Sequence, residues 1–207
     1  MEETARDITV ILKCYRRPEY LKEQVGLIRN QTIPPTNIWL WVNAHQDNRK
    51  YNPYTLGFDK VFKSDTNCKY HARFAIGLLA RTEYVAFFDD DTLPGDMWFE
   101  NCLNTMEEHP GILGGAGCIL NSQYYVDHLR VGWPSRNPLT TRVDLVGHAW
   151  FMKRDHLNYM WMETPFTFEN GEDIQLAYLA KKYGDLNCYC PPHPAKNLRL
   201  HSSLKPE

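Results

Sequence analysis

Tyr84-Val85-Ala86-Phe87-Phe88-Asp89-Asp90-Asp91-Thr92-Leu93-Pro94-Gly95 is the stretch that decides the fold. A five-residue apolar run closed by turn residues reads as a buried strand. Open α/β sheets bind their ligands at the carboxyl ends of such strands. Three carboxylates at that end call for a cation. Hard oxygen donors suit Mg²⁺ or Mn²⁺, ions that take one or two carboxylates, keep several waters and complete their shell with the phosphates of a substrate. The competing reading is a solvated acidic turn ahead of the next helix, and the position directly after a buried strand weighs against it.

The segments around this stretch alternate between strand and helix. Ile8 to Tyr15 is apolar and β-branched and ends at Arg16-Arg17-Pro18, with the proline placed to open a helix. Leu21, Val25 and Ile28 follow at helical spacing. Ile38 to Asn43 and Lys60 to Lys63 read as the second and third strands, and Tyr70, Phe74 and Leu78 mark a helix leading into Tyr84 to Phe88. This order predicts a mostly parallel sheet with helices on its faces. Beyond the acids, Phe99, Leu103 and Met106 indicate a helix. Ile112 to Ile119 forms a strand made irregular by Gly114, Gly115 and Gly117, and residues 121 to 143 form a long loop. Leu145 to Met152 then reads as a strand, Glu172 to Tyr183 as a helix, and Leu198 to His201 as a short last strand.

Composition narrows the function classes. A chain of 207 residues with 43% hydrophobic residues can bury a core as one domain. A net charge of -2 gives no electrostatic reason for nucleic acid or an anionic membrane surface as partner. No apolar run approaches the roughly 20 residues that span a bilayer, and the opening Met1-Glu2-Glu3-Thr4-Ala5-Arg6-Asp7 is not a signal sequence. The expectation is a soluble, cytoplasmic protein. Cys14, Cys68, Cys102, Cys118, Cys188 and Cys190 are scattered without a C-x-x-C pair and read as reduced thiols. Cys188-Tyr189-Cys190 offers at most half a metal site.

Four motifs in order resemble nucleotide-sugar glycosyltransferases of the GT-A type, and residues 8 to 201 can be laid on that plan. Asp89-Asp90-Asp91 stands where the family carries its D-x-D motif. Arg73-Phe74 resembles the N-R-F element of the exostosin-like branch, with Ala72 in place of the asparagine. Val143-Asp144-Leu145-Val146-Gly147-His148-Ala149-Trp150-Phe151 is similar to that branch's small-residue strand beside the donor sugar, and Glu169-Asn170-Gly171-Glu172-Asp173-Ile174 to its acidic helix start. The chain also resembles the N-terminal domain of a large chlorella-virus glycosyltransferase, which would place it in a host cytoplasm.

The resemblance implies a GT-A (Rossmann-like) sheet forming one catalytic domain over 1–207. Residues 8–119 would bind the nucleotide sugar, and 120–207 would supply the acceptor side and catalytic groups. It implies Asp91 as metal ligand, Asp89 near the metal or ribose, and Gly147 and His148 beside the donor. It also implies Mn²⁺ or Mg²⁺, a UDP-sugar donor and a carbohydrate or glycan acceptor.

The chemistry of the residues agrees with this plan. Departure of a nucleoside diphosphate needs charge neutralised by a Lewis acid, which Asp91 and Asp89 can hold. A carboxylate near the anomeric carbon must take the acceptor proton or stabilise the developing positive charge. Asp173 is the first candidate and Glu172 the second, although acids at a helix start also serve the macrodipole. Tyr15 can stack on a base and Arg16 can meet phosphate. Ser64 and Asp65 can read uracil or ribose edges, while Arg73 can reach the diphosphate or pair with Asp89. His201 in the last strand is a candidate third metal ligand and favours manganese; His148 and His193 are further candidates. Trp133, Tyr124 and Tyr125 in the long loop can form an acceptor platform.

The exostosin-like branch favours retention at the anomeric carbon, whereas a Glu-Asp pair in inverting enzymes supplies a general base. The rival readings are an aspartyl-phosphate phosphatase with Asp89 as nucleophile and a noncatalytic nucleotide- or carbohydrate-binding module.

Overall fold

A computed structural model describes residues 7–205 of the chain. Strand β1 (Ile8–Cys14) is buried at every position, as its unbroken apolar run requires for a strand covered on both faces. It pairs in parallel with β2 (Asn37–Val42) on one side and with β4 (Tyr84–Phe88) on the other, and β2 pairs in parallel with β3 (Lys60–Lys63). The sheet then changes direction. Strand β8 (Leu145–Lys153) runs antiparallel to β4 and to β5 (Gly111–Leu120). Strand β9 (Asn187–Cys190) adds in parallel to β5, and β7 (Thr141–Val143) closes that side antiparallel to β9. The order is β3-β2-β1-β4-β8-β5-β9-β7, with β6 (His128–Gly132) paired to β5. The α/β class with a central sheet flanked by helices is therefore as the sequence indicates.

Alternation along the strands splits the core between two faces. Leu12, Leu40 and Phe88 point to one face, where Leu21, Val25 and Ile28 of α1 (Leu21–Arg29) and Phe99, Cys102 and Met106 of α3 (Trp98–Glu108) cover them. Ile11, Trp39, Phe87 and Trp150 point to the other, against Phe74 of α2 (Ala72–Gly77) and Leu176 and Ala180 of α4 (Glu172–Gly184). Complete burial of each aliphatic side chain of this kind contributes roughly 1.5–3 kcal/mol. Strand β3 lies at the edge, with Lys60 and Lys63 exposed and Val61 and Phe62 half-buried.

Two expectations need correction, and two further segments gain a definite place. The 121–143 loop contains β6 and β7, short strands whose solvent-facing residues hide the period-two pattern. Cys188-Tyr189-Cys190 is the body of β9: both cysteines face the core, and burial pushes the Cys188 thiol up to about 12. The segment expected as a last strand is a 3₁₀ turn at Leu198–Leu200, packed against the chain after the acids. There Gly95 N–H donates to the His201 carbonyl at 2.9 Å, and a Cβ on Gly95 would lie 2.4 Å from the Arg199 carbonyl. Residues 154–161, unassigned from sequence, form a 3₁₀ helix that buries Leu157 and Met160. Among the described residues, no helix is long and apolar enough to cross a membrane.

Candidate active site

The turn after β4 is pinned from two sides. Gln24, a buried polar residue on the inner face of α1, donates its amide to the carbonyls of Asp89 (2.8 Å) and Thr92 (2.7 Å). On the other side the His148 carbonyl accepts from Asp89 N–H at 3.3 Å and from the Thr92 hydroxyl at 3.2 Å. His148 reaches this position through a bulge in which His148 and Ala149 of β8 stand opposite the single residue Gly115 of β5. Its φ of 70° lies in the left-handed region that a residue with a Cβ seldom takes. Bulges of this kind re-aim side chains beside functional sites. The His148 ring stacks flat on Trp133 (3.9 Å between centroids), and its burial lowers the imidazole pKa despite the nearby Asp89 and Asp91.

Three cations neutralise the three acids. Asp89 accepts from Arg73 Nη1 at 2.6 Å and from Lys13 Nζ at 3.3 Å. Arg17 spans the other two, with Nη2 on Asp90 Oδ1 and Nη1 on Asp91 Oδ2, each at 2.5 Å. Burial works against ionisation of Asp89, but the charges of Arg73 and Lys13 outweigh it and hold the carboxyl well below 3.8. Asp90 is the reverse: burial raises it more than Lys13 and Arg17 lower it, and its Oδ2 is buried without a partner.

Arg73 also joins the acid triple to the start of α4. Its side chain is 1% exposed, and its second nitrogen, Nη2, donates to Glu172 Oε1 at 2.9 Å. Its guanidinium lies over Trp150, 4.2 Å from the ring centroid. Gly171, at φ 77°, caps the helix that Glu172 and Asp173 open. Glu172 is committed to Arg73. Asp173 has no cation partner among the ion pairs of the described residues; its Oδ1 accepts from Ile174 N–H at 2.8 Å. Burial raises the Asp173 carboxyl, and Arg73 and Asp89 both act on its charge, so the two acid groups share one electrostatic field.

The remaining candidates are spread along the ends of β1 to β3. Ser64 and Asp65 line a cleft of about 520 Å³ with Asn43, His45, Asn48 and Tyr51. Asn43 is its buried hub, accepting from Ser64 Oγ (3.3 Å) and Cys68 N–H (3.0 Å) and donating to Asn67 (2.7 Å). Tyr15 lines a smaller adjoining hollow with Lys13, and its hydroxyl accepts from Asn67 at 3.0 Å.

Arg16, expected to meet phosphate, and His201, expected as a third metal ligand, lie away from the three acids. Arg16 is exposed at φ 72°, its N–H bound to Asn48 Oδ1 at 3.1 Å, and the side chain that reaches the triple is that of Arg17. His201 is buried under the chain after β4, with Nε2 2.9 Å from the Pro194 carbonyl and its ring against His193, so it does not join Asp89 and Asp91 as a third ligand. Gly147 flanks the bulge beside His148. Sequence reasoning missed Lys13 and Arg17. The signal for Lys13 is a lysine inside an apolar strand; for Arg17 it is the residue immediately before the helix-opening proline.

Among the described residues, no three His, Cys, Asp or Glu side chains converge into a cage that would hold a metal on its own. The carboxylates of Asp89, Asp90 and Asp91 are hard oxygen donors, of the kind a divalent cation takes together with substrate oxygens. Asp90 Oδ2 lacks a partner, and one guanidinium already bridges Asp90 and Asp91.

Solved structures share this architecture. The S. aureus TarS crystal structure superposes with a TM-score of 0.65 at 16% identity, covering 91% of this chain and 36% of that one. TarS 1–349 in complex with UDP gives 0.64 at 17% identity, covering 91% and 59%. The chain thus spans less than two thirds of the TarS chains it matches, and at these identities the likeness concerns the fold. No curated protein matches the chain in sequence. The model of Glycosyl transferase family 2 matches residues 9–161, the segment that runs from β1 through the acid triple to the helical turn after β8. A parallel β1–β4 layer with three acids at its carboxyl edge, inside a match to most of the sequence, makes this chain a member of glycosyl transferase family 2.

Proposed function

We propose that the chain transfers a hexosyl or deoxyhexosyl group from a nucleoside-diphosphate sugar, foremost a UDP-sugar, to a carbohydrate acceptor with the help of Mn²⁺ or Mg²⁺. The observation that carries this reading is the sharing of one field by the acid triple and Asp173 around buried Arg73. Residues 8–119 supply the donor side, with the nucleoside in the cleft lined by Ser64 and Asp65 and the diphosphate toward Asp89 and Asp91. Residues 120–207 supply Asp173 and the acceptor side. A divalent cation held by Asp91 and Asp89 would neutralise the departing diphosphate. Gln24 and the His148 carbonyl fix the turn that presents these carboxylates, and Trp133 with His148 walls the site. Membership of the family and the UDP complex of TarS support the donor class. A cytoplasmic location belongs to the same proposal.

Retention is the outcome implied by the exostosin-like resemblance. One observation favours inversion instead: Arg73 engages Glu172, leaving Asp173 as the carboxylate free to act, and its raised pKa suits a general base. The anomeric configuration of the product, read by proton NMR, decides between them. The phosphatase reading is weakened because Arg73 and Lys13, both on Asp89 Oδ1, lower the basicity of that carboxylate and with it its strength as a nucleophile.

Thermal-shift screening of nucleotide sugars with and without Mn²⁺ tests the proposal directly, since a ligand that binds only the folded state raises its melting temperature. A Mn²⁺-dependent shift with a UDP-sugar that disappears in Asp91→Ala is the expected result. Equal shifts without metal in both proteins would support a noncatalytic binding module.

A further inference from the structure

We infer that Arg17 is a resident internal cation of the acid site, displaced when a metal-bound diphosphate enters, so that metal and nucleotide bind as a coupled pair. The inference rests on the proposed donor chemistry and concerns what this chain does before the donor arrives. One guanidinium reaches two separate carboxylates, Asp90 Oδ1 and Asp91 Oδ2, each at 2.5 Å. Charge-assisted bonds from such a fork are the strong ones. The other two cations at the site are locked in place. Arg73 is fully buried between two acids and an aromatic ring, and the Lys13 side chain is 8% exposed.

The Arg17 side chain is 44% exposed and can leave the acids for solvent without opening the core. Its backbone stays fixed meanwhile. Arg16 N–H is tied to Asn48, and Pro18 begins the 3₁₀ turn that leads into α1.

The displacement has a defined energetic consequence. A divalent ion held by Asp89 and Asp91 and arriving alone must break the Arg17 bond to Asp91 and leaves the guanidinium with Asp90 as its one remaining anion. An ion arriving with a diphosphate brings the released guanidinium new anionic oxygens. Coupling of this kind is reciprocal: the factor by which nucleotide tightens metal binding equals the factor by which metal tightens nucleotide binding.

The test is Mn²⁺ binding followed by the electron-paramagnetic signal of the free ion, with and without UDP, in the wild type, Arg17→Gln and Arg17→Lys. The expected result is that Arg17→Gln binds Mn²⁺ alone at least about fivefold more tightly than wild type, and that the gain on adding UDP shrinks by a comparable factor. Arg17→Lys, whose ammonium is a point charge rather than a fork, should fall between them and keeps the test valid if the glutamine variant does not fold. Equal or weaker Mn²⁺ binding in the variants, with the UDP effect unchanged, overturns the role of Arg17 and leaves the proposed function standing. No Mn²⁺ binding in any of the proteins, with UDP or without, overturns both.

Discussion

The two acid groups of the site differ in how their charge is balanced. Asp89, Asp90 and Asp91 each pair with a cation, drawn from Lys13, Arg17 and Arg73. At the start of α4, Glu172 shares Arg73 with Asp89, and Asp173 is left to a backbone N–H. The result is opposite pKa shifts: Asp89 is held down by its cations, whereas burial pushes Asp173 up. A carboxylate kept ionised suits holding charge, and one kept more basic suits accepting a proton. The same residue type thus serves two tasks about one buried arginine.

The largest expected effect tests the Asp173 side of this contrast. Asp173→Asn should lower transfer by about 10²–10⁴-fold, the usual contribution of a positioned base, while calorimetry shows donor affinity retained. Loss of donor binding with turnover intact would reverse the assignment. Next is the shared arginine. Arg73→Met leaves buried Glu172 without its cation and Asp89 with Lys13 alone, and should lower unfolding free energy by about 3–5 kcal/mol. Urea titration measures this, and a loss no greater than that of an exposed arginine would remove the clamp from the argument.

A third experiment compares the signs of the two shifts across pH. Because the folded pKa of Asp89 lies below 3.8, its stabilisation is fully present above that value and is lost as pH falls further toward the folded pKa. Asp89→Asn should therefore melt lower than wild type at pH 7, with the gap narrowing only below about pH 4. For Asp173 the folded pKa is raised, so its ionised form opposes folding at neutral pH, and the penalty is relieved as pH falls through the folded value toward 3.8. Asp173→Asn should melt higher than wild type at pH 7 and lose that advantage in acid. Melting changes of the same sign in both variants would dissolve the contrast. The smallest effect is a control: Lys181→Gln removes an exposed pair with Asp185 and should leave the melting temperature unchanged.

Legibility in the sequence followed burial. Lys60–Lys63 and Tyr84–Phe88 occupy the ranges their patterns indicate, and β1, β2, β8 and α4 differ by a residue or so at an end. Apart from β3 at the sheet edge, these elements lie inside the sheet or present a long apolar face, so pattern and structure are set by the same requirement. Strands β6 and β7 are short and partly solvent-facing, and their pairing depends on partners far along the chain. The 198–201 segment has strand-like residues, but Gly95 and Asn101 hold it as a turn, with Asn101 Nδ2 2.9 Å from the Leu200 carbonyl. At the site the acids stood out because carboxylates cluster in sequence. Their counter-charges come from β1, from the residue before Pro18 and from α2, and only the assembled fold brings Lys13, Arg17 and Arg73 together.

The outer border of the parallel layer bears on behaviour at high concentration. Strand β3 is four residues long, with Lys60 laid over Trp39 and Lys63 over Tyr54. An open strand is a template for another molecule's backbone, and flanking positive charges are a common deterrent. Two ammonium groups at that rim repel their own kind, so this border resists sheet-to-sheet self-association.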